Sequence, residues 1–236
     1  MRRLSLACPP PLRRATNSGR PPQVLVFFYL REPVNSAGNR LLGYHTTQTT
    51  RVGKAAVHNA ISLRVLTAYA SAHGSTAEVA GFIADAWRER GIENVVAPVG
   101  SVKSVEGYDA FALGSAIHNG LWLPEIAHFV RRSLPQLSRK PVYLWLNCLR
   151  VIEPNGYAYV TNNYLPNMLD HRLSFRKIGL FAGKIDLATI NEDEVWTLTF
   201  RYDGSKTPET MAGDYRDWKL IRAWADQVGA DLETIS

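Results

Sequence analysis

Leu63-Arg-Val-Leu-Thr-Ala-Tyr-Ala-Ser-Ala-His-Gly-Ser-Thr-Ala-Glu78 is an apolar run that closes on small residues, turns through serine and glycine, and enters a helix. Leu63–Ala70 predicts a buried parallel strand, because a strand covered on both faces reads as a near-continuous apolar run. Thr76–Arg90 puts Val79, Ala80, Ile83, Ala84 and Trp87 on one helical face, and Gly91 supplies the residue that ends it. In the turn between them, Ser71-Ala-His-Gly-Ser-Thr76, small hydroxyl and glycine residues leave the backbone N–H groups uncovered. The following helix N-terminus adds partial positive charge, so the turn can hold a phosphate without a Lys or Arg. It contains neither the Gly-Lys-Ser/Thr of a Walker loop nor a dinucleotide fingerprint. Read locally, the same turn is a plain helix start, with Ser75 as N-cap and Glu78 completing a capping box.

The alternation continues downstream. Asn94–Val99, Ala110–Gly114, Pro141–Leu146 and Lys177–Ala182 read as strands two to five. Pro124–Leu134 reads as a helix with Ile126, Val130 and Leu134 inward, entered through its first-turn proline and ended by Pro135. Tyr215–Val228 reads as the last helix, with Trp218, Ile221, Trp224, Ala225 and Val228 inward. Five strands alternating with helices imply an α/β fold, a doubly wound five-stranded parallel sheet covered on both faces. Right-handed crossovers bring every strand-to-helix loop to one edge, where ligands bind at the topological switch point. The loops after strands one, three and four are therefore the candidate site. The long connection before the last helix carries the acidic run Glu192-Asp-Glu194, read as a solvated face. It also carries Val195-Trp-Thr-Leu-Thr-Phe200, whose alternation suits an edge strand or part of a substrate lid.

Charge divides the chain unevenly. Residues 1–64 hold ten Lys/Arg and one acidic residue, Glu32, whereas residues 65–236 carry a net charge of −3. The basic balance thus belongs to one terminal segment, and the body shows no basic stripe of the kind nucleic acid requires. Residues 1–62, interrupted by Pro9-Pro-Pro11, Pro21-Pro22 and Asn17-Ser-Gly19, are expected to form an irregular, low-order basic extension. A targeting leader, a tail, or upstream sequence from a misassigned start would each account for it, and the abrupt onset at Leu63 favours the last. Two cysteines, Cys8 and Cys148, make no disulfide framework and point to a reducing, cytoplasmic compartment. Six scattered histidines form no metal-ligand spacing with either cysteine, so no metal is expected. The longest early apolar run, Val24–Leu30, has seven residues against the ~20 of a membrane span.

Tyr69-Ala-Ser-Ala-His-Gly-Ser-Thr-Ala-Glu78 resembles the FMN phosphate loop of flavodoxin-like proteins. Tyr108-Asp-Ala-Phe-Ala-Leu-Gly-Ser115 resembles the third strand of that family. Gly213-Asp-Tyr-Arg-Asp-Trp218 resembles the last helix of a subgroup similar to the menaquinone-dependent protoporphyrinogen oxidases. The resemblance runs from about Leu63 to Val228 and implies a flavodoxin-like domain over residues 63–230, strand order 2-1-3-4-5, with FMN as cofactor. It implies that Ser71, Ala72, His73, Gly74, Ser75 and Thr76 surround the phosphate, with His73 lending its backbone N–H. It places Ser115, Ala116, Ile117, His118, Asn119 and Gly120 against the flavin ring, and Asn147, Cys148, Leu149 and Arg150 on its pyrimidine side.

Within these loops Asn119-Gly120 supplies a backbone free to take positive φ. Trp122 suits either stacking on the flavin or core packing, and His118 either acid/base chemistry or an exposed loop position. Arg150 suits either the anionic reduced flavin or a surface ion pair. Cys148 reads as a small buried hydrophobe. The family implies an FMN-dependent oxidoreductase or, as the alternative, an electron carrier without its own substrate. A body charge of only −3 and the cluster Arg131, Arg132, Arg139 and Lys140 weigh against an acidic carrier. Expected partners are a quinone or other small redox substrate, or a redox protein, with peripheral membrane contact left open and no nucleic acid. Tyr157, Tyr159 and Trp196 are the aromatics expected to offer a flat substrate an apolar surface beside the flavin edge.

Overall fold

The computed structural model describes residues 63–169, 171–201 and 207–235; the extension assigned to residues 1–62 lies outside them. The elements are β1 (Arg64–Ala70), α1 (Ser75–Arg88), β2 (Glu93–Pro98), β3 (Ala110–His118), β4 (Leu121–Trp122), α2 (Pro124–Leu137) and β5 (Val142–Asn147). They continue with α3 (Gly156–Tyr159), α4 (Leu165–Met168), β6 (Ile178–Phe181), β7 (Lys184–Ile185), α5 (Glu192–Arg201), α6 (Pro208–Met211), β8 (Gly213–Asp214) and α7 (Trp218–Glu233). The main sheet runs β2-β1-β3-β5-β6 with every neighbour parallel, which is the expected five-strand order. β4 adds an antiparallel tip to β3, and β7 pairs with β8 in a separate ribbon.

Side chains alternate across the sheet into two apolar cores. Leu66, Phe111, Leu113, Leu144 and Leu146 pack beneath α2 on one face. Val65, Ala112, Tyr143, Trp145 and Phe181 pack against α1 and α7 on the other. The bulkiest member, Trp145, is fully buried and stands in register between Gly114 of β3 and Gly179 of β6. A Cβ on Gly114 would lie 2.0 Å from the indole, so the neighbouring strand leaves that side chain out to admit the ring. Trp224 packs against that indole, and Phe181 meets Trp224 edge-on.

Several boundaries differ from the sequence reading. The second helix passes through Pro135 to Leu137, because one missing N–H near a helix end removes one bond while Leu137 is fully buried. Ser138 N–H still donates to the Leu134 carbonyl at 2.9 Å. The last helix begins at Trp218, not Tyr215, since Asp217 caps it by accepting from the N–H groups of Lys219 and Leu220. β3 extends past Gly114 to His118, prolonged by the hairpin with β4. Residues 195–200 are helical within α5 and form no edge strand.

At the far end of β5, the Tyr143 hydroxyl donates to Asp231 Oδ2 at 2.6 Å, and Arg176 donates to the same oxygen at 3.1 Å. Partial burial opposes the Asp231 charge, but these two donors hold its carboxyl below the usual range. Burial, reinforced by Asp231, pushes the Tyr143 hydroxyl well up.

Two stability predictions follow from these contacts. Gly114→Ala should cost about 1–3 kcal/mol, the scale of overpacking, read as a lower urea midpoint with an unchanged slope. Asp231→Ala should cost about 1–3 kcal/mol at neutral pH by stranding the Tyr143 hydroxyl. The folded pKa of Asp231 is depressed, so the stabilisation is complete above its unfolded pKa of about 3.9. It fades as pH falls through the folded value. Urea titrations at neutral and acid pH should show the gap between wild type and variant narrowing in acid.

Candidate functional site

The carboxyl ends of β1, β3 and β5 open into a cleft of about 310 Å³. Ala72, His73 and Ser75 line it from the first loop, Ala116 to Gly120 from the second, and Asn147, Cys148 and Leu149 from the third. Tyr164, Gly183, Lys184 and Ile185 line it as well, and α5 closes one side with Asp193, Glu194 and Leu198.

The first loop is built around Gly74, whose φ of 85° turns the chain into α1 without any side-chain cap. The capping box suggested by the sequence is absent. Glu78 reaches out to Arg216, 2.8 Å away, which also binds Asp214 and donates to the Ser75 carbonyl. The Arg216 side chain is only 4% exposed, so it braces the loop from below. Ser71 Oγ and Thr76 Oγ1 are buried with no hydrogen-bond partner among the described residues. Two stranded hydroxyls beside an uncapped helix start are what a phosphate group would satisfy. The residues present therefore fit the phosphate end of FMN.

In the second loop Asn119 (φ 51°) and Gly120 (φ 79°) form a two-residue hairpin turn with both central residues left-handed. This turn aims Ala116, Ile117 and His118 at the cleft. Ser115 stays outside it, fully buried, donating to the Ala116 carbonyl and accepting from Leu123 N–H. Trp122 packs against the apolar core and does not line the cleft.

In the third loop, buried Asn147 donates from Nδ2 to the Ala182 carbonyl, while its Oδ1 has no partner among the described residues. Cys148 is buried, as a small hydrophobe would be. Arg150 turns away from the cleft, pairing with Glu153 at 2.7 Å and lying over the Tyr159 ring. Tyr157 and Tyr159 likewise fall outside the cleft, and Trp196 is 65% exposed.

The aromatic that does enter is Tyr164, which sequence reasoning missed. It ends a widened helical turn, Val160–Tyr164, inserted between α3 and α4, and such turns recur at functional sites. Its ring lies so close to Gly120 that a Cβ there would meet it at 2.9 Å. Glu194 was also missed as a site residue. Asn191 and Glu194 form a reciprocal cap, Asn191 N–H donating to Glu194 Oε2 and Glu194 N–H to Asn191 Oδ1. The spacing Asn191-x-x-Glu194 was the signal available in the sequence. The other oxygen, Oε1, meets His73 Nε2 at 2.7 Å and lies 3.7 Å from His118 Nδ1. Partial burial opposes the Glu194 charge, yet Asn191 and His73 hold its carboxyl below the usual range.

No helix among the described residues is long and apolar enough to cross a membrane. Among proteins of stated activity, the chain is similar to the protoporphyrinogen IX dehydrogenase [quinone] of Escherichia coli K12. The two are 22% identical over 171 residues, which span 70% of this chain and 94% of that one. Among solved structures, a flavodoxin from the domain Archaea matches at 11% identity and TM-score 0.43, covering 72% of this chain and 99% of its own. The flavodoxin, WrbA-like protein from Agrobacterium tumefaciens matches at 12% identity and TM-score 0.45, covering 74% and 100%. A family model described as flavodoxin domain matches residues 66–196, more than half of the sequence. The chain therefore belongs to the flavodoxin domain family, whose cofactor is FMN.

Proposed function

We propose that this protein is an FMN-dependent oxidoreductase acting on a small flat redox substrate of the quinone or porphyrinogen class. The observation that carries this reading is the closing of the cleft by α5. A domain that only relays electrons to a protein partner gains from an exposed flavin edge. Here the connection between β6 and α7 instead lays Asp193, Glu194 and Leu198 along the cleft, giving it walls as a substrate pocket has. Similarity to a quinone-linked dehydrogenase supports the same substrate class.

Bound FMN supplies the redox chemistry, and the chain supplies position and electrostatics. Ser71 and Thr76 offer hydroxyls and α1 its uncapped N–H groups to the phosphate. Asn147 Oδ1 offers an acceptor to a ring N–H. Lys184, held by Asp186 at 2.9 Å, places positive charge at the cleft wall. Tyr164 and Ile117 give the cleft apolar surface. His118 lines the cleft from the second loop, within reach of whatever enters.

Ser71→Ala combined with Thr76→Val should reduce FMN retention while leaving the far-UV circular dichroism unchanged. Each charge-assisted hydrogen bond lost is worth about 1.5–3 kcal/mol, so affinity should fall by on the order of 100-fold or more. Unchanged affinity in equilibrium dialysis would place the cofactor elsewhere. For substrate class, stopped-flow reoxidation of the reduced protein by a water-soluble menaquinone analogue should outrun electron transfer to a ferredoxin-type protein. The reverse order would make the protein a carrier.

A further inference from the structure

His73, His118 and Glu194 are 45 and 76 residues apart in sequence, and each comes from a different element: the β1–α1 loop, the end of β3 and the first turn of α5. Their nearest ligand atoms nevertheless lie within 4.8 Å of one another. The His73–Glu194 contact of 2.7 Å is an ordinary hydrogen bond. That bond leaves unexplained why His118 Nδ1 sits 3.7 Å from the same oxygen, beyond bonding range, with the two imidazoles stacked at 22° and 6.1 Å between centroids. A tetrahedral ion with ligands at about 2.0–2.1 Å sets its donors roughly 3.3 Å apart, a spacing that the distances here bracket.

We propose that these three side chains form a binding site for a divalent transition-metal ion of the zinc type, clasping α5 onto the first and second loops. Two imidazoles and one carboxylate suit zinc, iron(II) or cobalt(II), not the all-oxygen shell of calcium or magnesium or the thiolates of copper(I). The carboxylate is already oriented, because Asn191 N–H engages Glu194 Oε2 and leaves Oε1 for the ion. Such outer-shell support is a regular feature of metal ligands. On binding, the ion takes the lone pair of His73 Nε2 and releases any proton shared there with Glu194. Three protein ligands leave a coordination position for water or an oxygen of a molecule in the cleft. The expectation of no metal rested on the spacing of the histidines to the two cysteines, which does not weigh two histidines and a carboxylate drawn from separate elements. The site stands on these residues alone and does not depend on the proposed substrate class.

The test uses the full chain as purified, freed of metal by chelator and titrated with cobalt(II), then with zinc(II) as competitor. The expected result is one equivalent bound, with the visible ligand-field bands of a low-coordinate nitrogen/oxygen site, bleached by zinc. Glu194→Gln and His118→Gln should each weaken binding by at least about 100-fold, and Asn191→Ala by about 10-fold, the range for lost outer-shell partners. Thermal melts identify any variant that fails to fold, and the remaining variants then decide. Absence of saturable binding, or full-strength binding in folded Glu194→Gln and His118→Gln, would overturn the site. Flavin absorbance in the same samples keeps the two readings apart. Metal binding lost with flavin retained removes the metal site alone, whereas metal bound without any flavin removes the FMN reading alone.

Discussion

A parallel sheet buried on both faces leaves the chain little choice about where its chemistry goes. Each strand must return through a crossover on one face or the other, and right-handed crossovers send every strand-to-helix loop to the carboxyl edge. With order β2-β1-β3-β5-β6, the chain leaves β1 toward one side and β3 toward the other. α1 therefore packs with α7 on one core, and α2 packs on the opposite core. Between them the carboxyl ends of β1 and β3 are left without a covering helix, and the cleft opens there. The packing of Trp145 over Gly114, and of Phe181 and Trp224 over Gly179, shows how tightly that sheet is specified: two glycines on one face are each covered by a neighbouring aromatic ring.

That architecture was legible because its determinants are local. Buried parallel strands are contiguous apolar runs, and α1 and α7 announce themselves by helical periodicity, although the Asp217 cap that sets the start of α7 went unread. What the sequence concealed came from competition between signals. Val195-Trp-Thr-Leu-Thr-Phe200 alternates like a strand, but the helix capped by Asn191 and Glu194 begins three residues earlier, at Glu192, and the segment follows it. Trp196, 65% exposed, shows that the alternation did not record burial. Pro135 looked like a stop, yet burial of Leu137 outweighed one absent N–H. No helix was expected between Leu146 and Lys177, because the helical stretch from Gly156 to Met168 is interrupted by a wide turn and keeps no single period.

The site divides in the same way. The first loop was singled out from six consecutive residues, and the structure sets Ala72, His73 and Ser75 along the cleft and buries the Ser71 and Thr76 hydroxyls beside an uncapped helix start. Ile117, His118 and Gly120 followed from their place after β3. Tyr164 reaches the cleft from a connection whose path the sequence does not encode by spacing, and the Asn191-x-x-Glu194 spacing marks a helix start without saying that it meets the cleft. Arg150 shows the converse. It stands in the right loop, but Glu153 three residues on and Tyr159 above it offer nearer partners than the cleft.

The first loop also carries a physical tension that a ligand resolves. Burying a hydroxyl without a partner costs about 1–3 kcal/mol, and Ser71 and Thr76 both stand in that position among the described residues. The uncapped start of α1 adds N–H groups in the same place, and Arg216 has drawn away Glu78, the side chain best sited to cap them. The bracing of Glu78 by a nearly buried arginine keeps the loop open. The unpartnered hydroxyls and the uncapped helix terminus cost stability that a bound anion would restore, which would couple the fold to its ligand through the same few donors.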